Sequence, residues 1–297
     1  MFSGFKASDL AVNGVHINFV IGGSGPPLLL LHGYPQTHIM WHKIAEQLAE
    51  QFTVVASDLR GYGDSSTPES ADNHEPYSKR ANGNDQVALM QALGFDKFTL
   101  VGHDRGGRVG HRMTLDRPDA IERLVVMDIA PTYTMYTTTD MDFATAYYHW
   151  FFLIQPYDIP ERMIGQDPLY FLKKKFGQWG KDAAAITPKA FSEYLRCFTP
   201  ETIHASCEDY RASATIDIQH DQIDIDKGHK IHCPLLCLWG EKGFVGSKYD
   251  IIAEWSKWAT KVEGHGIPCG HYLPEEAPQE TLSALLNFLN KNPDEHL

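Results

Sequence analysis

Short apolar segments alternate with helix-like segments through the first half of the chain. The apolar runs are GVHINFVIG, PPLLLLHG, FTVVASDLRG, KFTLVGHD and RLVVMDIAP, and each is bounded by turn residues. The segments between them, such as HIMWHKIAEQLAE, NGNDQVALMQALG and GGRVGHRMTLDRP, are typical of helices. Nearly continuous apolar strands that alternate with helices indicate a parallel sheet covered on both faces. The sequence therefore predicts an α/β protein with a mostly parallel, doubly wound sheet.

The strand pattern is interrupted between about Thr134 and Lys227 and returns with CPLLCLWG. The intervening segment is rich in aromatic residues and contains helix-like stretches such as MDFATAYYHWFFLI and PKAFSEYLRCF. We therefore expect an α/β core formed by residues 1-133 and 228-297, with a helical cap at 134-227 inserted in it. The acidic stretch at 216-226 is interpreted as a solvated return to the core. A chain of 297 residues is long enough for this arrangement.

The composition limits the class of partner and the cellular compartment. A formal net charge of -12 argues against nucleic acid and anionic membranes as partners, and an anionic ligand would need a local cationic pocket. The N-terminal segment lacks the apolar run of a signal peptide, and nothing in the chain reaches the ~18 apolar residues of a membrane span. Five cysteines without a framework spacing are interpreted as reduced thiols. We expect a cytoplasmic protein.

An aspartate stands where an apolar strand meets a helix, in the stretch LVGHDRGGRVGHR. Asp104 lies between Gly102 and Gly106. A tight strand-to-helix turn with small neighbours exposes its central side chain at the carboxyl edge of the sheet, as in a nucleophile elbow. Aspartate is also a favoured helix N-cap, so the motif alone leaves a structural role open. The rest of the chain supplies the partners that a nucleophile would need.

Two of these partners are the oxyanion hole and a histidine. The segment HGYP follows the strand LLLL, so the backbone N–H groups of Tyr34 and Arg105 could together form an oxyanion hole. His271, in PCGHYLPEEAP, precedes the closing helix. It is distinguished from the other histidines because a sheet with such an elbow imposes the chain order nucleophile, acid, histidine.

The acid of such a triad has two candidate positions. Asp128 directly follows the apolar strand RLVVM. After the later strand LLCLWG the chain continues Glu241-Lys242-Gly243, with glycine where many enzymes with such an elbow have aspartate. We therefore predict that Asp128 orients His271, with Glu241 as the alternative.

These motifs together resemble a known family. The elbow GHDRGG, the segments HGYP and SDLRGYGDS, Asp128 and His271 are similar to the α/β-hydrolase superfamily with an aspartate nucleophile. The resemblance is closest to the fluoroacetate (haloacetate) dehalogenases. It extends along nearly the whole chain, notably at VGHDRGGRVGHRM, DIAPTY, YYHWFF and CEDYRASATID. It implies an α/β-hydrolase fold with a helical cap and a homodimer, and it implies no metal or organic cofactor.

The residue types agree with this chemistry. A carboxylate nucleophile suits displacement at a saturated carbon, which forms an ester that water then opens with His271 as general base. Epoxide hydrolases and haloalkane dehalogenases commonly have tryptophan after the nucleophile, where this chain has Arg105. Arg108 lies one helical turn further on. The two guanidinium groups are predicted to bind a substrate carboxylate, although structural salt bridges are an alternative use for them.

The cap contributes the residues that the resemblance assigns to halide binding. These are His149, Trp150 and Tyr210, whose N–H and O–H groups can converge on a small anion. The aromatic run YYHWFF could equally be part of the cap's core. Trp179 is a further candidate for the pocket wall.

The sequence therefore predicts hydrolysis of small 2-haloacids, fluoroacetate included, to 2-hydroxy acid and halide. An epoxide hydrolase is the alternative enzyme, because cap tyrosines such as Tyr147, Tyr148 and Tyr210 could protonate an opening epoxide ring. A noncatalytic binding protein with the same fold is the alternative from another class, and it is disfavoured because every catalytic position is filled.

Overall fold

The computed structural model describes residues 1–182 and 184–291. Within these residues, eight strands form one sheet in the order β1-β2-β4-β3-β5-β6-β7-β8. Strands β1 and β2 are antiparallel to their neighbours, whereas all pairs from β4 to β8 are parallel. The strands are β1 (Lys6–Val12), β2 (Val15–Gly22), β3 (Pro27–Leu31), β4 (Thr53–Ser57), β5 (Phe98–His103), β6 (Ile121–Met127), β7 (Leu235–Gly240) and β8 (Val262–Ile267). This confirms the predicted α/β-hydrolase architecture.

Helices surround the sheet and occupy the segment between β6 and β7. Those that accompany the sheet are α1 (Ala45–Leu48), α2 (Lys79–Ala92), α3 (Arg105–Asp116), α12 (Phe244–Lys248), α13 (Ile251–Ser256), α14 (Leu273–Glu276) and α15 (Pro278–Leu289). Those between β6 and β7 are α4 (Thr132–Thr137), α5 (Met141–Ala146), α6 (Tyr148–Phe152), α7 (Ile159–Gln166), α8 (Pro168–Trp179), α9 (Pro188–Cys197), α10 (Pro200–Ala214) and α11 (Ile216–Lys227). No strand occurs between β6 and β7 in the described residues.

The central strands are buried because helices or loops cover both faces of the sheet. All six residues of β5 are buried, as are the last four residues of β3 and of β6. Such strands have no solvent-facing side, which explains their continuous apolar sequences. The sequence did not identify β1 and β8. Both have mixed burial and lie at the two edges of the sheet, so their composition is less apolar.

The starts of the longer cap helices follow from local sequence. Thr187 and Thr199 are the N-caps of α9 and α10, and each side chain accepts a hydrogen bond from the backbone N–H three residues later. A proline follows each threonine at the first helical position, where the missing N–H is not needed.

The acidic stretch at 216-226 is not a solvated return, and that interpretation was wrong. It forms α11, whose Asp217, Asp221 and Asp224 are buried. Arg112 of α3 pairs with Asp221 at 2.8 Å and also with Asp224. Buried carboxylates need such partners, so the acidic face holds the last cap helix against the core. No helix in the described part of the chain is long and apolar enough to cross a membrane.

Candidate active site

The turn between β5 and α3 places Asp104 in a strained backbone conformation. Its φ is 46° and its ψ is -112°, which a residue with a side chain rarely adopts. The turn is tight: a Cβ at position 102 would lie 2.5 Å from the carbonyl oxygen of Gly106, and one at position 106 would clash with that of Leu31. Glycine is therefore required on both sides of the aspartate, as expected for a nucleophile elbow.

The sheet register brings the predicted triad residues to one edge. His103 of β5 pairs with Met127 of β6, so Asp104 and Asp128 leave neighbouring parallel strands at the same level. Asp128 also has a positive φ, 52°. His271 follows β8 and reaches the same edge, where its Nδ1–H donates to Asp128 Oδ2 at 2.6 Å.

Of the two candidates for the acid, Asp128 is the one that contacts His271. Its other oxygen, Oδ1, accepts a hydrogen bond from the N–H of Gly240 at 2.9 Å, so both carboxylate oxygens are fixed. Glu241 is exposed. A Cβ at position 243 would lie 3.5 Å from Asp128 Oδ1, so the carboxylate of Asp128 occupies the space next to this glycine.

One of the two predicted oxyanion donors contacts Asp104. The N–H of Tyr34 donates to Asp104 Oδ1 at 2.9 Å. The N–H of Arg105 is the first of α3, and the first N–H groups of a helix have no partner within it. The N–H of Tyr34 can therefore stabilise negative charge on Asp104 Oδ1. The other carboxylate oxygen, Oδ2, is left for attack on a substrate.

The electrostatic environment favours a charged Asp104. Burial alone would raise the pKa of Asp104, but the positive charges of His271, Arg108 and Arg105 outweigh burial and lower it. Burial alone would lower the pKa of His271, whereas its hydrogen bond to Asp128 and the charges of Asp128 and Asp104 raise it. The resting site therefore favours a carboxylate beside an imidazolium.

The loop that bears His271 is held by residues that the sequence analysis missed. Glu276 accepts hydrogen bonds from the N–H groups of Gly270 at 3.0 Å and Tyr272 at 2.9 Å, on either side of the histidine. It also accepts one from the N–H of Lys181, just beyond α8, at 2.7 Å. The N–H of His271 itself donates to the carbonyl oxygen of Trp179 at 3.1 Å. The sequence offered one signal for this role: Glu276 lies only five residues after His271, in the segment PEEAP.

The ring of His103 supports the same loop from the core side. His103 is fully buried, and its Nε2–H donates to the carbonyl oxygen of His271 at 2.7 Å. Burial lowers the pKa of His103 to about 3, so the ring is neutral and its Nε2 remains a donor. The loop is therefore anchored through its backbone on both sides, independently of the imidazole.

Arg105 is only partly available for a ligand. Its Nε donates to Asp209 Oδ2 at 2.6 Å, and one Nη donates to the carbonyl oxygen of Asp209 and to Ser213. The other, Nη1, is buried and has no hydrogen-bond partner among residues 1–182 and 184–291. Nε of Arg105 is therefore used in a structural salt bridge, which was the alternative to substrate binding, and one Nη in structural hydrogen bonds, whereas Nη1 is in neither within the described residues. Asp209 adjoins Tyr210 in the sequence, but nothing in the sequence showed which cation it pairs with.

Arg108 has no carboxylate partner within hydrogen-bond distance in the described residues. It donates to the carbonyl oxygen of Ala130 and to Thr132 Oγ1, both at 3.0 Å, and it contacts the sulfur of Met135. Its Nε is buried and unpartnered within the described chain. The arrangement keeps a buried cation close to Asp104, oriented by neutral groups.

The predicted halide residues lie directly beside the two arginines. The Cζ of Arg105 is 4.1 Å from the centre of the Tyr210 ring, and that of Arg108 is 4.7 Å from the centre of the Trp150 ring. The His149 ring lies 5.6 Å from Tyr210, centre to centre. Trp150 Nε1 and His149 Nδ1 are both buried without a hydrogen-bond partner in the part of the chain described. Unsatisfied buried nitrogen atoms gathered in one place indicate a ligand site.

Trp179 lies beside the predicted halide residues. The ring of Trp179 lies 4.5 Å from that of His149, 6.3 Å from that of Tyr34 and 5.6 Å from that of His271, centre to centre. Trp179 thus lies next to the predicted halide residue His149, and its place in the pocket wall stays a prediction. The arrangement can hold a small anion at two points near the carboxylate of Asp104.

Comparisons with known proteins agree with the geometry. The sequence profile of the alpha/beta hydrolase fold family matches residues 26–278. A curated fluoroacetate dehalogenase from Burkholderia sp is 45% identical, and the match covers 98% of this chain and 95% of that protein. A soluble epoxide hydrolase from Corynebacterium sp. (strain C12) is 33% identical, over 93% of this chain and 94% of that one. A crystal structure from Nostoc sp PCC 7120 is 57% identical with a TM-score of 0.97, covering 98% of this chain and 100% of its own.

Proposed function

This chain belongs to the alpha/beta hydrolase fold family, and on that basis we propose that it hydrolyses small 2-haloacids such as fluoroacetate and chloroacetate. The products are a 2-hydroxy acid, halide and a proton. The single observation that carries the proposal is the pair of buried guanidinium groups beside Asp104, each with a nitrogen that lacks a partner among the described residues. They supply the local cationic pocket that a carboxylate substrate needs in a protein of net charge -12.

In the first step Asp104 displaces the halide. The substrate carboxylate binds to Arg105 Nη1 and Arg108 Nε, which directs the halogen-bearing carbon toward Asp104. Oδ2 of Asp104 attacks this carbon, the carbon–halogen bond breaks, and the halide leaves with the bonding electrons. His149, Trp150 and Tyr210 donate hydrogen bonds to the departing ion. Oδ1 becomes the carbonyl oxygen of the ester and stays bonded to the N–H of Tyr34.

In the second step water opens the ester. Because Nδ1–H of His271 is bonded to Asp128, Nε2 is the nitrogen that accepts a proton from water. The hydroxide adds to the ester carbonyl carbon, and Oδ1 takes up negative charge between the N–H groups of Tyr34 and Arg105. Collapse releases the hydroxy acid, whose oxygen takes the proton back from His271. The regenerated carboxyl group of Asp104 then loses its proton.

The domain division and the cellular location are parts of the same proposal. Residues 1-133 and 228-297 form the hydrolase core, and residues 134-227 form the cap, which supplies the halide donors. The described elements between β6 and β7 are all helices, which supports this division. The five cysteines are free, in keeping with the cytoplasmic location expected from the sequence.

The homodimer implied by the resemblance would use the cap. Several large apolar side chains of the cap are exposed: Met141, Tyr157, Ile159, Met163, Leu169 and Tyr170. Ile159 and Met163 share one face of α7, and such a patch is typical of a contact surface. Sedimentation should show a dimer that Ile159→Asp with Met163→Asp converts to monomer. A dimer that persists in this variant would contradict this surface.

An epoxide hydrolase remains the second candidate, because the Corynebacterium relative has that activity and buried Tyr147 lies near the site. Fluoride release from fluoroacetate, measured beside diol formation from styrene oxide, distinguishes the two. Asp104→Asn, which removes the nucleophile, is the control for background reaction. Turnover of styrene oxide without fluoride or chloride release would contradict the proposal, and turnover of neither would favour a binding protein.

Replacing Trp150 should affect fluoride more than chloride. Trp150→Phe keeps an aromatic ring but removes the unpartnered Nε1–H, and fluoride depends more strongly than chloride on hydrogen bonds as it leaves. We expect kcat for fluoroacetate to fall by about tenfold or more, as for loss of one charge-assisted hydrogen bond, and kcat for chloroacetate to fall less. Trp258→Phe, whose ring packs on His111, is the matched control. An equal loss on both substrates would indicate altered packing instead.

The ester-opening step should slow in acid. It requires neutral His271, and the raised pKa of His271 means that protonation begins above the ordinary value. Esterification removes the charge of Asp104, which is one cause of that rise, so the pKa of His271 should fall when the ester forms. Rapid quenching followed by mass spectrometry should show the ester accumulating as the pH is lowered. Accumulation at alkaline pH instead would contradict His271 as the base.

A further inference from the structure

Lys175 of α8 is a buried lysine without a counter-ion in the described part of the chain. Its side chain is 0% exposed, and its Nζ has no hydrogen-bond partner among the residues that the structure describes. Three aromatic rings surround the ammonium group instead. Nζ lies 3.7 Å from the centre of the Tyr148 ring, 5.0 Å from that of Trp179 and 5.4 Å from that of Phe171. Buried lysines are almost always paired, so this one needs an explanation.

The rings stabilise the charge only in part. Cation–π contacts offset only part of the free-energy cost of removing an ammonium group from water. Burial accordingly lowers the pKa of Lys175 to about 7. A bound anion would supply the missing partner and restore the charged form.

The position of Lys175 links it to the pocket. The Trp179 ring that contacts its ammonium group also lies 4.5 Å from the His149 ring, centre to centre. Burial lowers the pKa of His149 well below its ordinary value, and Lys175 is the next largest cause. Lys175 is therefore one aromatic ring away from the proposed halide donors.

The exposed fraction of the side chains falls from Tyr148 through Trp179 to His149. Tyr148 is 42% exposed, Trp179 is half-buried and His149 is 2% exposed. Lys175 lies between the exposed ring and the buried imidazole, in contact with Tyr148 and Trp179. An anion that moves between solvent and the pocket along these rings would pass the ammonium group.

We propose that Lys175 forms a transient binding site for small monovalent anions on the route between solvent and the buried pocket. This site is separate from the donors His149, Trp150 and Tyr210. The proposal rests on the proposed function, because the anions concerned are the haloacid carboxylate that enters and the halide that leaves. Both are repelled by a protein of net charge -12, so a cation on their route compensates for that repulsion.

The matched variants are Lys175→Met and Lys174→Met. Methionine removes the charge but keeps an unbranched chain that can fill the same space. Lys174 is the adjacent residue and is exposed, so Lys174→Met makes the same change in net charge without touching the buried group. Thermal unfolding checks that both variants fold. If Lys175→Met does not fold, Lys175→Arg is used in its place. Because arginine retains the positive charge, this variant should still bind the anion.

Kinetics distinguish the two anions. If Lys175 receives the incoming carboxylate, Lys175→Met should lower kcat/KM for chloroacetate on the order of tenfold, the low end of electrostatic steering, with kcat little changed. If it receives the departing halide, kcat should fall and inhibition by added chloride should weaken. Either result supports the proposal. Kinetics and chloride inhibition equal to those of Lys174→Met and the unmodified protein would overturn it.

Bromide soaked into crystals provides a readout that needs no turnover. Anomalous scattering should place bromide beside Lys175 Nζ in the unmodified protein and not in Lys175→Met. Bromide at this position with unchanged kinetics in Lys175→Met would mean an adventitious ion only and would overturn the proposal, as would the absence of bromide there. If bromide binds at Lys175 but the protein turns over no haloacid, the proposed function is wrong. The anion site at Lys175 would still be supported.

Discussion

His271→Ala protein treated with chloroacetate is expected to stop as a covalent ester on Asp104. The variant keeps the nucleophile, the oxyanion donors and the arginines, so the first step proceeds. It lacks the base that activates water, so the second step fails. The loop should keep its position, because His103, Glu276 and Trp179 hold it through backbone groups. Intact-protein mass spectrometry should show one added carboxymethyl group, and peptide mapping should place it on Asp104.

Two controls and an isotope measurement complete this test. His265→Ala, at an exposed histidine of β8, should turn over normally, and Asp104→Asn should gain no adduct. In ¹⁸O-labelled water with enzyme in excess, the hydroxy acid from the first turnover should be unlabelled, because its oxygen comes from Asp104. The label should appear in the Asp104 peptide. Labelled product in the first turnover, with no adduct on the His271 variant, would show direct attack by water.

Arg108→Leu is expected to remove most activity on haloacetates. Arg108 is a buried cation without a carboxylate partner in the described residues, so a bound substrate carboxylate would be its principal counter-ion. Loss of one partner of a desolvated ion pair costs on the order of 2–5 kcal/mol, or about thirtyfold or more in kcat/KM. Arg108→Lys should recover only part of the activity, because an ammonium group lacks the planar geometry of guanidinium.

A neutral substrate separates carboxylate binding from general damage to the site. Chloroacetamide lacks the negative charge, so Arg108→Leu should reduce its turnover much less than that of chloroacetate. Arg117→Leu, at the exposed end of the same helix, is the matched control. A folded Arg108→Leu protein with near-normal kcat/KM for chloroacetate would contradict the assignment. Equal losses on both substrates would indicate that Arg108 only supports the fold.

The sequence predicted those features that depend on local geometry. The elbow could be identified because Gly102 and Gly106 are required by close backbone contacts within a few residues of Asp104. Asp128 and His271 could be placed because the fold imposes the chain order nucleophile, acid, histidine and Asp128 directly follows a strand, and the structure brings both side chains into contact. The roles of these residues, and of the arginines and halide donors, stay predictions.

The missed features depend on pairs of residues that are distant in the sequence. Asp209 binds one side of Arg105 from 104 positions away, and nothing in the motif around Arg105 indicated that partner. The acidic face of α11 looked solvated because its cation, Arg112, lies on another helix. Lys175 stands in a run of three lysines, which is typical of an exposed surface, and only the packing of α8 shows that the third is buried.

The hydrogen bonds between the His271 loop and the segment after α8 limit how this enzyme can open. His271 N–H bonds to Trp179 and the Lys181 N–H bonds to Glu276, so a cap that swung away would break bonds that position the base. In the proposed mechanism, ester hydrolysis therefore requires the cap to stay in contact with the His271 loop. We therefore expect a substrate to enter and leave by motion of individual side chains, and not by movement of the cap away from the core.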